Sequence, residues 1–232
     1  MRCFLYGITK EKDKKMYFFL LLIIPTVTFS IFFHESSCKP KEILLPVSAG
    51  FFMALITSLF REFFINMEYN PKFSFAPVFL HNLAFTAVPS VLITASLVFL
   101  SKNSLKNKAT LVVPLLASFY AVFTPYTTIA LGEKRAFFML FVNPILVIET
   151  ILAFGAFLKI SAASIDKKIT GGTIAAALGA IITLMVQPAT ISLRFLKTAG
   201  ITPIIIAILA APLAYFIYKF SYKNENSLDN SN

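Results

Sequence analysis

Long runs of apolar residues, separated by short connectors that carry the charged residues, dominate this 232-residue chain. A helix needs about 20 mostly apolar residues to cross a bilayer, and the runs reach or approach that length. The pattern predicts an all-α, polytopic integral membrane helical bundle with six or seven transmembrane helices. The candidate runs are Met16–Phe33, Ile43–Phe60, Val78–Leu100, Thr110–Leu131, Ala136–Leu158, Ile169–Leu193 and Ile201–Tyr218.

Composition supports a membrane protein over a soluble helical bundle. Hydrophobic residues make up 57% of the chain and charged residues 14%, with a mean hydropathy of +0.78, whereas soluble domains carry about 25% charged residues. The net charge of +10 could indicate nucleic-acid binding in a soluble protein. Here the basic residues are spread among the connectors, as is usual in membrane proteins, so we expect no nucleic-acid partner.

The chain divides into a basic segment, one membrane domain and a polar tail. Residues 1–15 are expected to be cytoplasmic, residues 16–219 to form a single transmembrane domain, and residues 220–232 to form the tail. A signal peptide is not favoured, because no small-x-small cleavage pattern follows the first run. Lys and Arg divide almost equally between the two sides of a seven-span path, so the basic N-terminal cluster decides the cytoplasmic orientation. We expect a multi-pass protein of the bacterial cytoplasmic membrane, in contact with lipid, with a homo- or hetero-oligomer as one alternative to a monomer.

Glu149 is the first candidate for function, since no other charge occurs from Ala136 to Leu158. A charge at the bilayer centre costs about 2.5–3.5 kcal/mol on insertion scales, so Glu149 should be protonated or paired across helices. It is interpreted as an intramembrane brace or as part of a substrate path; a position nearer the interface is the third alternative. The expected companions along the path or brace are Gln187, Thr124 and Tyr120, with Lys159 as a further possible partner.

A second candidate follows the second run. Phe60, Phe63, Phe64 and Met67 recur at helical spacing on one face, which is typical of a helix lying in the membrane interface. The pattern predicts such a helix over about residues 61–70, and a simple extension of the second span is the alternative. The residues expected to dock a cytoplasmic partner are Arg61, Glu62, Asn66 and Glu68.

Motifs for catalysis or metal binding are weak. His34 and His81 are the only histidines, and neither has a second ligand at zinc-site spacing. We therefore expect no metal, no cofactor and no enzymatic activity. Two alternatives remain: a lipid-modifying enzyme that uses Glu149 or His81, and a scaffold subunit of a membrane complex that transports nothing.

Several short motifs occur in an order that resembles permease subunits of ABC-2-type transporters. Within that group the chain is most similar to the haem-exporter permease of cytochrome c maturation. The motifs are Leu59-Phe60-Arg61-Glu62 with Glu68, Lys134-Arg135 before a run that holds Asn143-Pro144, and Pro188-Ala189-Thr190 leading to Leu193-Arg194.

The resemblance implies a transport subunit that moves a small or lipid-like molecule and depends on a separate ATPase. The chain itself has no Gly-x-x-x-x-Gly-Lys-Ser/Thr loop for nucleotide phosphates. In this interpretation the ATPase docks near residues 61–69. Ile201–Tyr218 is a span additional to the six that the resemblance implies.

Overall fold

The computed structural model describes residues 11–36, 38–64, 75–100, 105–130, 141–193 and 201–229. Over these residues the chain forms seven helices, of which the third contains a short π-helical turn. The helices are α1 (Glu11–Glu35), α2 (Pro40–Phe64), α3 (Phe75–Asn82, a π-helical turn at Leu83–Ala87, then Val88–Leu100), α4 (Leu105–Ala130), α5 (Asn143–Asp166), α6 (Thr170–Leu193) and α7 (Thr202–Asp229).

Six of these helices, α2 to α7, are long and apolar enough to cross a membrane. Helix α1 has 25 residues, and its stretch Leu22–Glu35 is also apolar. The prediction of an all-α polytopic membrane bundle is confirmed. The protein is a multi-pass membrane protein.

Two groups of contacts define the ends of the bundle. At one end, the last turns of α2 and α4 meet the first half of α3, where Arg61 contacts both His81 and Tyr126. At the other end, the second halves of α5 and α7 meet, where Lys159 contacts Tyr222. We call these the Arg61 end and the Lys159 end. The beginning of α5 and the end of α6 therefore lie at the Arg61 end.

Helix α4 lies at the centre and contacts α1, α2, α3 and α5. Its described side chains are buried around nearly the whole circumference. At its middle the ring of Phe119 stacks on that of Phe123 and meets the ring of Tyr120 edge to face. The outer helices α2, α6 and α7 expose many large apolar side chains instead. This is the arrangement expected in lipid, where an apolar exterior carries no penalty.

Gly50 allows α2 to approach α4 closely. A Cβ atom at this position would overlap the carbonyl oxygen of Leu115 and the hydroxyl of Ser118 on α4. Small residues let transmembrane helices pack with their backbones in contact. The α2–α4 pair, which builds much of the core, therefore depends on the missing side chain of Gly50.

Several predicted boundaries differ from the observed ones. Helix α5 begins at Asn143 and continues to Asp166, beyond the predicted end at Leu158, while residues 136–140 lie outside the described part. Helix α7 continues to Asp229, so most of the predicted polar tail is helical. Of the predicted interfacial helix, residues 61–64 continue α2, and residues 65–70 lie outside the described residues.

Candidate functional site

Glu149 is enclosed by the protein near the Arg61 end. It lies about 9 Å along the helix axis from Asn143, and its side chain is only 5% exposed. Neither carboxylate oxygen has a hydrogen-bond partner among the residues that the structure describes. Buried polar groups in folded proteins are nearly always satisfied, so this carboxylate is an exception that calls for an explanation.

A cavity of about 280 Å³ lies beside Glu149, between α5, α6 and α7. Its walls are almost wholly apolar, with Glu149 and the hydroxyls of Thr150 and Thr183 as the polar exceptions. Thr150 and Thr183 donate their hydroxyl hydrogens to carbonyls of their own helices, those of Leu146 and Gly179. The other lining residues are Ala153, Phe157, Gly179, Ile182, Val186, Ala210, Leu213, Ala214 and Ile217.

The cavity opens sideways, toward the bilayer. Ile182 on α6 and Leu213 on α7 line it, and these side chains are 62% and 61% exposed on the outer surface of the bundle. Large aliphatic side chains that are exposed on transmembrane helices face acyl chains. A molecule dissolved in the membrane can therefore reach the wall that holds Glu149 without passing through water.

The structure does not connect Glu149 by a hydrogen bond to any of its predicted companions. Tyr120 on α4 shares a hydrogen bond of 3.0 Å with Ser90 on α3. Thr124 is buried on α4, where its carbonyl accepts a hydrogen bond from Thr127. Gln187 is buried on α6, and its side-chain carbonyl also has no described hydrogen-bond partner.

Arg61 forms a polar cluster with three residues at its end of the bundle. Its Nε donates a hydrogen bond of 3.2 Å to Nε2 of His81, and its guanidinium carbon lies 5.4 Å from the centre of the Tyr126 ring. The Tyr126 hydroxyl donates to Oε2 of Glu62 at 3.1 Å. The cluster thereby ties together α2, α3 and α4.

A docking residue is expected at the surface, but the side chain of Arg61 is only 3% exposed. Phe60 and Phe63 are 52% and 79% exposed on the lipid side, and Arg61 points inward. Glu62 is exposed. Asn66 and Glu68 lie outside the described residues.

A row of buried polar residues along α3 was missed by the sequence analysis. Asn82, Thr86, Ser90 and Thr94 follow one another at four-residue intervals, and all are less than 9% exposed. That interval places side chains on one helix face, so the spacing in the sequence could have revealed the row. These residues surround the π-helical turn at Leu83–Ala87.

Two hydroxyl groups of this row donate to carbonyls of their own helix beside the π-helical turn. Thr86 donates to the carbonyl of Asn82 at 2.6 Å, and Ser90 donates to the carbonyl of Thr86 at 2.7 Å. The buried hydroxyls of Thr86 and Ser90 are thereby satisfied within α3, next to Tyr120.

The Lys159 end holds the other deeply buried charge of α5. Lys159 is 3% exposed, and its Nζ lies 3.0 Å from the centre of the Tyr222 ring. A cation above a tyrosine ring is attracted by the π electrons. Lys159 is thus engaged about 15 Å along α5 from Glu149, and it does not neutralise that carboxylate.

Comparisons with known proteins give no match: no family model fits the chain, and no curated protein and no solved structure is significantly similar to it. The fold and the site therefore define the protein only as an α-helical, multi-pass membrane protein. Its particular features are a buried carboxylate and a cavity that opens toward lipid.

Proposed function

We propose that the protein is a membrane-embedded permease subunit of the bacterial cytoplasmic membrane. In this proposal it moves a small or lipid-like molecule that reaches it from the bilayer, and a separate ATPase supplies the energy. The proposal is supported most by one observation: Glu149 is buried without a described hydrogen-bond partner at the wall of a cavity that opens sideways.

Burying an acidic residue in a transmembrane helix costs free energy, so such a residue is expected to have either a structural partner or a functional role. A structural brace would need a partner group on a neighbouring helix, and the described residues provide no hydrogen bond to Glu149. A binding group for a passing molecule needs an empty space beside it, and Glu149 has one. The arrangement therefore favours a substrate path over a brace.

The energy source must lie outside this chain if transport uses ATP, since the sequence has no phosphate-binding loop. The Arg61 end is the side on which we place the ATPase. There Glu62 is exposed, and the connector that holds Asn66 and Glu68 follows it. Arg61 takes part indirectly, by fixing the end of α2 through His81.

The test is to delete the gene and to profile the membrane and medium for all detectable small molecules and lipids. A permease predicts at least one compound that is retained in the deletion strain and is released again when the wild-type gene is restored. Glu149→Gln should not restore release, although it should reach the membrane in normal amount. No difference between the strains, or full complementation by Glu149→Gln, would contradict the proposal.

A further inference from the structure

The cavity beside Glu149 adjoins a larger and more open groove along the seam between α5 and α7. A second space of about 660 Å³ shares two lining residues with it, Phe157 and Ile217. Both volumes are near or within the range of roughly 300–1,000 Å³ that is usual for small-molecule sites. The groove is lined by Phe157, Ile160, Phe216, Ile217, Lys219 and Phe220.

The groove is apolar and faces the membrane. Phe216 and Phe220 are 65% and 59% exposed on the outer surface of α7, so an alkyl chain in the groove would contact both protein rings and lipid. From Glu149 to Ile160 the seam extends about 16 Å along α5. That length suits a single extended alkyl chain of medium length.

Charge is distributed unequally along this seam. Glu149 lines the end nearer the Arg61 cluster, and Lys219 lines the opposite end. Lys159 is also a cation on α5, but its Nζ is held over the ring of Tyr222. A positively charged group on a ligand is therefore attracted to the Glu149 end and repelled from the Lys219 end.

We propose that the cavity and groove bind an amphipathic cation with a single alkyl chain, whose ammonium group lies at Glu149 and whose chain lies between Phe157 and Phe220. This inference rests on the proposed function, because it names the class of molecule that the permease would carry. Pairing with an ammonium group provides the opposite charge that the buried carboxylate lacks. The chain fills the apolar groove.

The probe is a dodecyltrimethylammonium derivative with a photoreactive diazirine on its chain, applied to the purified full-length protein in lipid nanodiscs. Labelled residues are mapped by mass spectrometry. We expect adducts on α5 and α7 at the groove, and competition by unmodified dodecyltrimethylammonium. Dodecanol and dodecanoate, which have the same chain length without the positive charge, should compete at least about tenfold less well.

Three variants distinguish the effect of charge on probe binding from the effect of cavity shape. Glu149→Gln should weaken binding about ten- to a hundredfold, because it removes a charge-assisted contact in an apolar site. Ala210→Leu should weaken binding by filling the cavity while Glu149 is kept. Glu42→Gln, the same chemical change at an exposed position of α2, should leave binding unchanged.

Equal competition by dodecanoate, or unchanged labelling of Glu149→Gln, would overturn the inference. So would adducts spread evenly over all lipid-facing helices. These outcomes are distinguishable from failure of the proposed function. Charge-selective labelling at the groove, without any compound retained in the deletion strain, would uphold the site and contradict the permease. A retained compound that is not an amphipathic cation would support the permease and contradict the proposed class of ligand.

Discussion

Arg61 and His81 join the second and third helices through a hydrogen bond of 3.2 Å from Nε of the arginine to Nε2 of the histidine. An imidazole nitrogen accepts a hydrogen bond only when it carries no proton, so His81 holds its proton on Nδ1. The bond directs a guanidinium group into the bundle at the level of the Tyr126 ring. Arg61 therefore serves packing between helices more directly than contact with a partner.

Replacing Arg61 by alanine should destabilise the protein. The change leaves Nε2 of His81 without its donor and removes the contact with Tyr126, and hydrogen bonds to charged groups contribute about 1.5–3 kcal/mol. Glu62→Ala removes only an exposed hydrogen bond from Tyr126, so it should cost no more than about 1 kcal/mol, but it should reduce co-purification of an ATPase. Thermal unfolding and co-purification of both variants check this. A stable Arg61→Ala protein that has lost its ATPase would instead support direct docking by Arg61.

Replacing Glu149 by leucine should keep or raise stability. Were Glu149 hydrogen-bonded across helices, Glu149→Leu would cost roughly 0.6–2 kcal/mol. Because the structure describes no hydrogen-bond partner for the carboxylate, the replacement leaves nothing unsatisfied and removes a buried polar group. Glu149→Gln is the matched variant that keeps size and polarity. Thermal unfolding in lipid nanodiscs measures the difference, and a loss of more than about 1 kcal/mol in Glu149→Leu would show that a partner exists.

Tyr120 and Ser90 should show a measurable coupling. Their hydroxyls lie 3.0 Å apart between α4 and α3, and both residues are almost completely buried. Hydrogen bonds between transmembrane helices average about 0.6 kcal/mol and reach about 1.7. A double-mutant cycle of Tyr120→Phe and Ser90→Ala isolates the pairwise energy from the other effects of each change. A coupling near zero would mean that each hydroxyl bonds independently to the carbonyl of Thr86, which lies within reach of both.

Gly50→Ala should disrupt the core, whereas Gly171→Ala should be harmless. A Cβ at position 50 meets a backbone carbonyl of α4, which cannot move out of the way as a flexible side chain would, whereas a Cβ at position 171 has no atom within 4 Å. Overpacking of a core typically costs about 1–3 kcal/mol. Expression and thermal unfolding of the pair provide the comparison. Equal stability of the two variants would show that α2 and α4 are not as close as described.

Cys38 should react slowly with maleimides at neutral pH. Burial raises the pKa of the Cys38 thiol above its ordinary value, and the neighbouring Glu42 carboxylate adds to the increase. Since the thiolate is the reactive form, the labelling rate should rise about tenfold per pH unit through pH 7 to 9. The measurement uses a Cys3→Ser background, in which Cys38 is the remaining cysteine. A rate that levels off below pH 8 would contradict the raised pKa.

The same reagent tests the predicted orientation. Cys38 lies between α1 and α2, at the opposite end of α1 from the N-terminal segment. If that segment is cytoplasmic, a membrane-impermeant maleimide should reach Cys38 from outside the cell. Cysteines introduced near Lys12 and Lys134 should react only after the cells are opened, and one near Lys106 should react from outside. Labelling of Lys12 and Lys106 positions from one side would contradict the predicted path.

The transmembrane helices were predictable because each apolar run must form its backbone hydrogen bonds internally in lipid. The contacts of Glu149 were not, since they depend on which neighbouring helix faces it. Its apolar lateral neighbours and its lack of a described partner arise from the packing of α5 against α6 and α7. No periodicity within Ala136–Leu158 contains that information.

Arg61 shows a second limit of reading a pattern along one helix. The prediction of an interfacial helix from the spacing of Phe60 and Phe63 assumes that the polar side of the segment faces water, as at a membrane surface. Within the bilayer the apolar side faces lipid and the polar side faces protein, so the same spacing places Arg61 inward. The pattern is identical in both cases, and only the depth of the segment decides between them.

The π-helical turn at Leu83–Ala87 has a consequence for the permitted length of the third span. It accommodates one residue more than a regular helix would, so deleting one residue there restores a regular helical turn and keeps the two halves in phase. Inserting a further residue would instead rotate the Phe75–Asn82 segment by about 100° relative to the following turns. His81 would then swing away from Arg61, or Ser90 away from Tyr120, because these contacts lie on opposite sides of the turn. Substitutions in this segment change side chains one at a time, whereas a single codon insertion would put half of the helix out of phase with its neighbours.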